Sequence, residues 1–216
     1  MNSRVLIFST FILFFKNGSA QDSSERETKL IFTEVSLLYD FPESYGVVAG
    51  INLPMRSLIK NKIYKEGKVV PKQRDVIYGV NAGFYRYPYN YTGVFLTPFI
   101  AFRHYVHPSL FHETSVGIGL LRTFYDGTVY KVDDAGDVNE ESLFGRFYAT
   151  TSFSWSINFL LRRPNRSIMA VQVKPLFWLQ YPYNSFVKPH VSLAAGIKYE
   201  IGKKGVKVKT ITKYKK

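Results

Sequence analysis

The stretch Phe144-Gly-Arg-Phe-Tyr-Ala-Thr-Thr-Ser-Phe-Ser-Trp-Ser-Ile-Asn-Phe159 sorts its residues by parity. The odd positions are Phe147, Ala149, Thr151, Phe153, Trp155, Ile157 and Phe159, mostly large and apolar. The even positions are Arg146, Tyr148, Thr150, Ser152, Ser154, Ser156 and Asn158. A helix brings positions three and four apart onto one face, whereas a strand separates odd from even. Period-two sorting over this many residues therefore predicts one long strand with two unlike faces.

The pattern repeats on both sides. Met169, Val171, Val173, Pro175, Phe177, Leu179 and Tyr181 alternate with Ala170, Gln172, Lys174, Leu176, Trp178 and Gln180. After Pro182-Tyr-Asn-Ser185, the segment Phe186–Ile201 sets Val187, Val191, Leu193 and Ile197 against Lys188, His190, Ser192 and Lys198. A hairpin centred on Asn184 pairs Phe177 with Val191, Pro175 with Leu193 and Val173 with Ala195 on one face. Its other face pairs Gln172 with Gly196 and Trp178 with His190. Apolar then meets apolar, as one register requires. Five earlier candidates, Leu30–Tyr39, Tyr45–Met55, Asp75–Tyr87, Thr92–Tyr105 and Leu110–Phe124, bring the expected number to eight.

The faces decide the environment. The polar face is rich in small residues such as Gly79, Gly83, Ala101, Ser115, Gly117, Gly119, Ser152, Ser154, Ser192 and Gly196. Small residues suit the crowded axis of a narrow barrel, and the opposite apolar face suits lipid. Segments of this length exceed ordinary globular strands and meet the roughly 9–11 residues of a tilted bilayer crossing. The expected fold class is all-β, an eight-stranded antiparallel up-and-down transmembrane β-barrel. A soluble lipid-binding barrel, with the same strands inverted, is the alternative.

Composition agrees. The 216 residues are 17% aromatic and 46% hydrophobic, which excludes intrinsic disorder. Mean hydropathy near zero (-0.09) excludes a bundle of membrane helices. The absence of cysteine excludes disulfides, thiolate metal sites and a cysteine nucleophile. The net charge of +13 is uneven. Residues Arg56–Arg74 hold seven basic side chains against Glu66, and Gly202–Lys216 hold seven with no acid. The rest of the chain after the leader has thirteen basic and fifteen acidic residues. Only Tyr64 and Tyr214 interleave the basic segments, so no nucleic-acid partner is expected.

Residues 1–20 read as a cleaved signal peptide, with Arg4, the apolar run Val5–Phe15 and Gly18-Ser-Ala20 ahead of Gln21. The expected division is then 1–20 signal peptide, 21–201 barrel and 202–216 basic periplasmic tail. An even strand count puts both ends in the periplasm. Residues 40–44, 88–91, 125–142 and 182–185 become outer loops, and 56–74, 106–109 and 160–166 periplasmic ones. Tyr85, Tyr87, Tyr89, Tyr91, Tyr181, Tyr183 and Phe186 are expected at the outer rims, as girdle residues.

The run Gly83-Phe-Tyr-Arg-Tyr-Pro-Tyr-Asn-Tyr-Thr-Gly-Val-Phe-Leu-Thr97, then Gly117-Ile-Gly-Leu-Leu-Arg-Thr123, resembles the small outer-membrane β-barrels abundant in Bacteroidetes-type bacteria. Tyr130-Lys-Val, Gly136-Asp-Val and Pro182-Tyr-Asn184 extend the resemblance, which covers about residues 75–201. It implies outer-membrane location and the barrel fold, and it implies no particular activity. Barrel chains of this kind commonly stop at an aromatic residue ending the last strand; the Lys-rich segment after Ile201 departs from that.

Several charges fall on the lumen parity. A turn near Pro108 sets Arg103 opposite Glu113, with Asp75 diagonally across on the preceding strand. Charges in a narrow lumen need partners, because desolvating them is costly. Asp75, Arg103, Glu113, Arg146 and Lys174 are thus expected to form a structural ion-pair network, extended by Lys188, Lys198 and Glu200. Arg122 faces outward near the outer rim, where it snorkels or contacts a lipid phosphate. A lipid hydrolase of the deacylase type needs a serine and a histidine base at the outer leaflet. His104, His107 and His112 instead cluster with Ser109 at the opposite end, and His190 points into the lumen. His107-Pro-Ser109 reads as a turn, so no catalytic residue, metal ligand or cofactor is expected. The acidic loop Asp126–Ser142 lacks the spacing of an EF-hand. The expected partners are lipopolysaccharide and phospholipid, with weak headgroup or cell-wall contact through the basic tail and a monomeric state.

Overall fold

The computed structural model describes residues 23–63, 69–132, 136–141, 145–162, 168–183 and 186–214. The leader 1–20, the acids Asp133 and Asp134, Phe144 and the turn residues Asn184 and Ser185 lie outside them. Ten strands are described: β1 Ser23–Asp40, β2 Ser44–Ile63, β3 Val69–Tyr87, β4 Tyr91–His107, β5 Leu110–Tyr125, β6 Val129–Val132, β7 Val138–Glu141, β8 Gly145–Arg162, β9 Ile168–Tyr183 and β10 Phe186–Tyr214. β6 and β7 pair only with each other, a small hairpin inside the segment expected as loop 125–142. The other eight pair with their neighbours in chain order, and β10 returns antiparallel to β1. The sheet is closed, and its membrane-crossing edges are removed.

The facing follows the alternation. Phe153, Trp155, Phe177 and Val191 are 50%, 41%, 43% and 56% exposed, while Ser154 and Ser192 are 5% and 2% exposed. Large apolar side chains on every wall therefore point away from the axis. The fold is an eight-stranded antiparallel up-and-down transmembrane β-barrel, apolar outside and polar inside. The predicted registers hold: Phe177 pairs with Val191, Trp178 with His190, and Arg103 with Glu113. Asp75 pairs directly opposite Arg103, and not diagonally as expected.

Three features differ from the sequence reading. The strands outrun the expected bounds, so the basic segment 56–74 is mostly the ends of β2 and β3 rather than a loop. The Lys-rich segment is likewise strand: Gly202–Thr210 pair antiparallel with Ser23–Ile31, and Lys207–Tyr214 pair parallel with Arg56–Ile63. β10 runs through 201 without a break, still paired with β1 and, from Lys207, with β2 as well. The lumen also holds more bulk than small residues alone would give. Phe32, Leu38, Ile77, Tyr85, Phe99, Phe111, Leu121 and Trp178 are all buried there. Tyr85 and Tyr91, expected in the outer girdle, turn inward; Tyr181 and Phe186 remain exposed.

The glycines explain how that bulk fits. Phe99 on β4 pairs with Gly79 on β3, and Phe95 with Gly83. A Cβ on Gly79 would lie 2.5 Å from Phe99 Cζ, and one on Gly83 2.7 Å from Phe95 Cζ. Each ring thus lies over a neighbouring strand that carries no side chain there.

Candidate functional site: the plugged lumen

The inward positions form layers along the axis. Nearest the 88–91 end is a cup of about 250 Å³ lined by Tyr87, Asn90, Tyr91, Thr123, Tyr125, Tyr148, Gln180 and Lys188. Lys188 Nζ donates to the Tyr91 hydroxyl at 3.3 Å, and Tyr87 stacks on Tyr91 at 5.7 Å.

Beneath it lies an aromatic layer built around Asp40. Trp178 and His190 stack at 3.6 Å with an interplanar angle of 11°, and Tyr85 meets Trp178 edge-on at 5.7 Å. Asp40 takes both ends of a short network: Ser192 Oγ donates to Oδ1 at 2.5 Å, and His190 Nδ1 lies 2.8 Å from Oδ2. Trp178 Nε1 donates to Ser192 Oγ at 3.0 Å, and His190 Nε2 lies 3.1 Å from Gln180 Oε1. Serine, histidine and aspartate are all present, but the serine bonds the carboxylate and Gln180 occupies the free imidazole nitrogen. A nucleophilic triad needs its serine on that nitrogen. Here that contact is not made, and Asp40 is instead the shared acceptor of the network.

A smaller cavity of about 50 Å³ follows, lined among others by Asn81, Thr97, Phe99, Ser115, Thr150, Ser154 and Lys174. Asn81 Oδ1 and Thr150 Oγ1 are buried there without a protein partner. The rest of the wall is mainly apolar, with Leu38, Val48, Phe95 and Leu176, so these two atoms mark the place for an ordered water.

Toward the other end sits the charge cluster. Arg103 Nε and Nη2 both approach Glu113 Oε1 at 2.7 Å. Lys198 binds the other oxygen of Glu113 and lies 3.5 Å from Glu34 Oε2. Lys174 Nζ lies 2.6 Å from Glu34 Oε1, and Asn52 Nδ2 donates to Oε2 at 3.2 Å. The Arg103 guanidinium is sandwiched by Phe111 at 4.5 Å and Phe32 at 5.1 Å. Asp75 is buried beside this cluster, accepting from Ser57 Oγ at 2.6 Å and Gln73 Nε2 at 3.0 Å. Three cations (Arg103, Lys174, Lys198) and three carboxylates (Glu34, Asp75, Glu113) balance, so the layer carries no formal net charge. Burying charges is tolerable only with such pairing and hydrogen bonding.

Of the residues singled out in the sequence, Arg103, Glu113 and Lys174 are thus brought into one network and Asp75 to its edge. Arg146 is a correction: it has the inward parity but lies exposed at the rim, where β8 begins. Glu200 leaves the cluster too, accepting from the Ile168 backbone N–H at 3.2 Å. Glu34 is the member that sequence reasoning missed, although its shared parity with Ser36 and Asp40 marks it as inward. Arg122 faces outward as expected, over the rings of Phe147 at 4.7 Å and Phe124 at 4.9 Å. At the His107-Pro-Ser109 turn, the Ser109 N–H donates to His107 Nδ1 at 3.3 Å, a turn contact.

No family model matches the chain, and no curated protein matches it. Among solved structures it is similar to a de novo designed transmembrane β-barrel (14% identity, 80% of this chain and 95% of that one, TM-score 0.43). It is similar to Ail, the attachment invasion locus protein of Yersinia pestis (10%, 80% and 97%, 0.40), and to the outer membrane enzyme PagL (12%, 79% and 99%, 0.37). The fold assignment rests on the chain's own closed pairing and on which way its side chains face.

Proposed function

We propose that the protein is an exported outer-membrane barrel whose role is structural or adhesive, a rigid platform rather than a conduit or a catalyst. The observation that carries this is the lumen: a cluster of balanced charges and an aromatic layer fill it in succession. An eight-stranded barrel is just wide enough for side chains to fill, and here they do so with ion pairs and stacked rings. The Ser192–Asp40–His190 geometry lacks an available base, and the His107–Ser109 turn faces away from the outer leaflet in this topology. The partners proposed are outer-membrane lipids, with Arg122 beside a lipid phosphate just above Phe147. The barrel works as a monomer, and residues 1–20 act as its cleaved export signal.

The test is membrane fractionation followed by a gel of boiled and unboiled samples. The expected result is an outer-membrane band that migrates differently until boiled, with no conductance steps in planar bilayers and no release of fatty acid from lipopolysaccharide. Recovery in the soluble periplasmic fraction, or steady single-channel steps, would overturn the proposal.

A further inference from the structure

The basic residues cluster where the apolar outer wall stops. On β2 the outward Met55 is 62% exposed and the next outward residue is Arg56, with Leu58 and Lys60 following on the same face. On β3 Val76 is followed outward by Arg74, on β4 Phe102 by His104, and on β10 Ile201 by Lys203. Two residues of strand span about 7 Å, and tilt reduces that to about 5 Å of depth. The cations begin within one such step of the hydrocarbon boundary, the depth of phospholipid phosphates.

The pairing gathers them further. Lys207 lies between Arg26 on β1 and Arg56 on β2, all three exposed and in register across adjacent strands. Lys60 on β2 is likewise opposite Lys72 on β3. Like charges directly opposite destabilise a sheet unless an anion is shared between them. On β1, Glu25 and Glu27 are in register with Val208 and Val206 and so lie at positions of the alternate face from Lys207, and Glu27 pairs with Lys29 at 2.9 Å. Asp75 is buried, and Glu200 holds the Ile168 N–H.

We infer that the exposed row Arg26–Lys207–Arg56, with Arg74 beside it, is a binding surface for the phosphates of anionic phospholipids in the periplasmic leaflet. It rests on the membrane reading above and adds a lipid class and a side. The crossover of β10 from β1 to β2 has a purpose in this account: it brings three cations from three strands to one depth, where a single strand would supply one. Each cation near an anionic surface adds to the attraction, which salt screens.

The test uses the full chain folded into nanodiscs of phosphatidylcholine alone and of phosphatidylcholine with phosphatidylglycerol, reading the melting temperature at low and high salt. The expected result is a gain of roughly 5 °C in the anionic discs at low salt, lost at high salt. The variant R26Q/R56Q/R74Q/K207Q should fold in phosphatidylcholine and show no such gain, while R26K/R56K/R74K keeps it. Equal melting in both discs, or a gain that survives the glutamine variant, overturns the inference and leaves the barrel reading standing. Stabilisation by soluble peptidoglycan fragments but not by anionic lipid overturns it in favour of the cell wall. A wild-type chain that inserts in neither disc sinks the membrane reading and this inference together.

Discussion

Glu34 and Glu113 stand on β1 and β5, strands that are not neighbours in the ring, yet both carboxylates contact the one ammonium of Lys198. A bond between adjacent strands only reinforces the backbone ladder. This contact spans the lumen, so it fixes the distance between opposite walls and resists flattening of the barrel. Lys174 and Arg103 complete the girder from two further strands.

Removing one member should cost more than removing a balanced pair. Lys198→Met leaves two buried carboxylates short of a partner, and breaking a buried pair this way typically costs about 3–5 kcal/mol. The double variant Glu34→Leu/Lys174→Met removes one charge of each sign and replaces them with apolar bulk, so its loss should be smaller than that of Glu34→Leu alone. Unfolding midpoints in urea, measured on the refolded barrel in vesicles, give the comparison. A double variant as unstable as the sum of its singles would show that the two residues act independently.

Gly93 tests the packing of the aromatic layer. A Cβ there would meet the Tyr85 side chain first, at 2.6 Å from Cε1 and Cζ. Gly93→Ala should therefore destabilise by about 1–3 kcal/mol through overpacking. Tyr85→Leu in the same chain should recover part of it, because the obstructing atoms are gone. The readout is the temperature at which the folded gel band converts to the unfolded one.

Much of this was legible in the alternation of β8, β9 and β10, because one face is uniformly large and apolar and a slip of one residue would reverse it. The Arg103–Glu113 pair followed from the same parity once the turn at Pro108 was placed. Arg146 shows the limit: parity gives a direction but not a depth, and a side chain at the strand's start points inward over the rim into water. Glu34 was hidden because its partners Lys174 and Lys198 are distant in sequence, and only closure of the ring by β10 on β1 brings them together. The strand beyond Ile201 was hidden for a related reason. Its lysines read as solvated until two further strands, β1 and β2, are placed along its edges.

Asp40 should matter for stability and not for chemistry. Asp40→Ala leaves Ser192 Oγ and His190 Nδ1 without their acceptor in a buried layer, a loss of about 1–3 kcal/mol per orphaned group. Asp40→Asn retains one acceptor oxygen and should lose less. Ser192 should not react with a fluorophosphonate probe in the folded barrel, since its hydroxyl donates to the carboxylate rather than to imidazole. Labelling of the wild type at Ser192, found by peptide mass, would reopen the hydrolase reading.

The outward face gives the most direct check on which environment surrounds the barrel. Phe153 lies between Val116 on β5 and Phe177 on β9, in the middle of the apolar wall. Phe147 lies opposite Arg122, near the rim. A lipid-facing arginine costs about 2–4 kcal/mol at the bilayer midplane and about 0–1 near an interface. Phe153→Arg should thus destabilise the barrel in vesicles by several times more than Phe147→Arg. In a water-exposed wall both substitutions would be close to neutral, because arginine is well solvated at either height. Equal small losses at the two positions, measured by urea unfolding, would therefore place water where the outward phenylalanines require hydrocarbon.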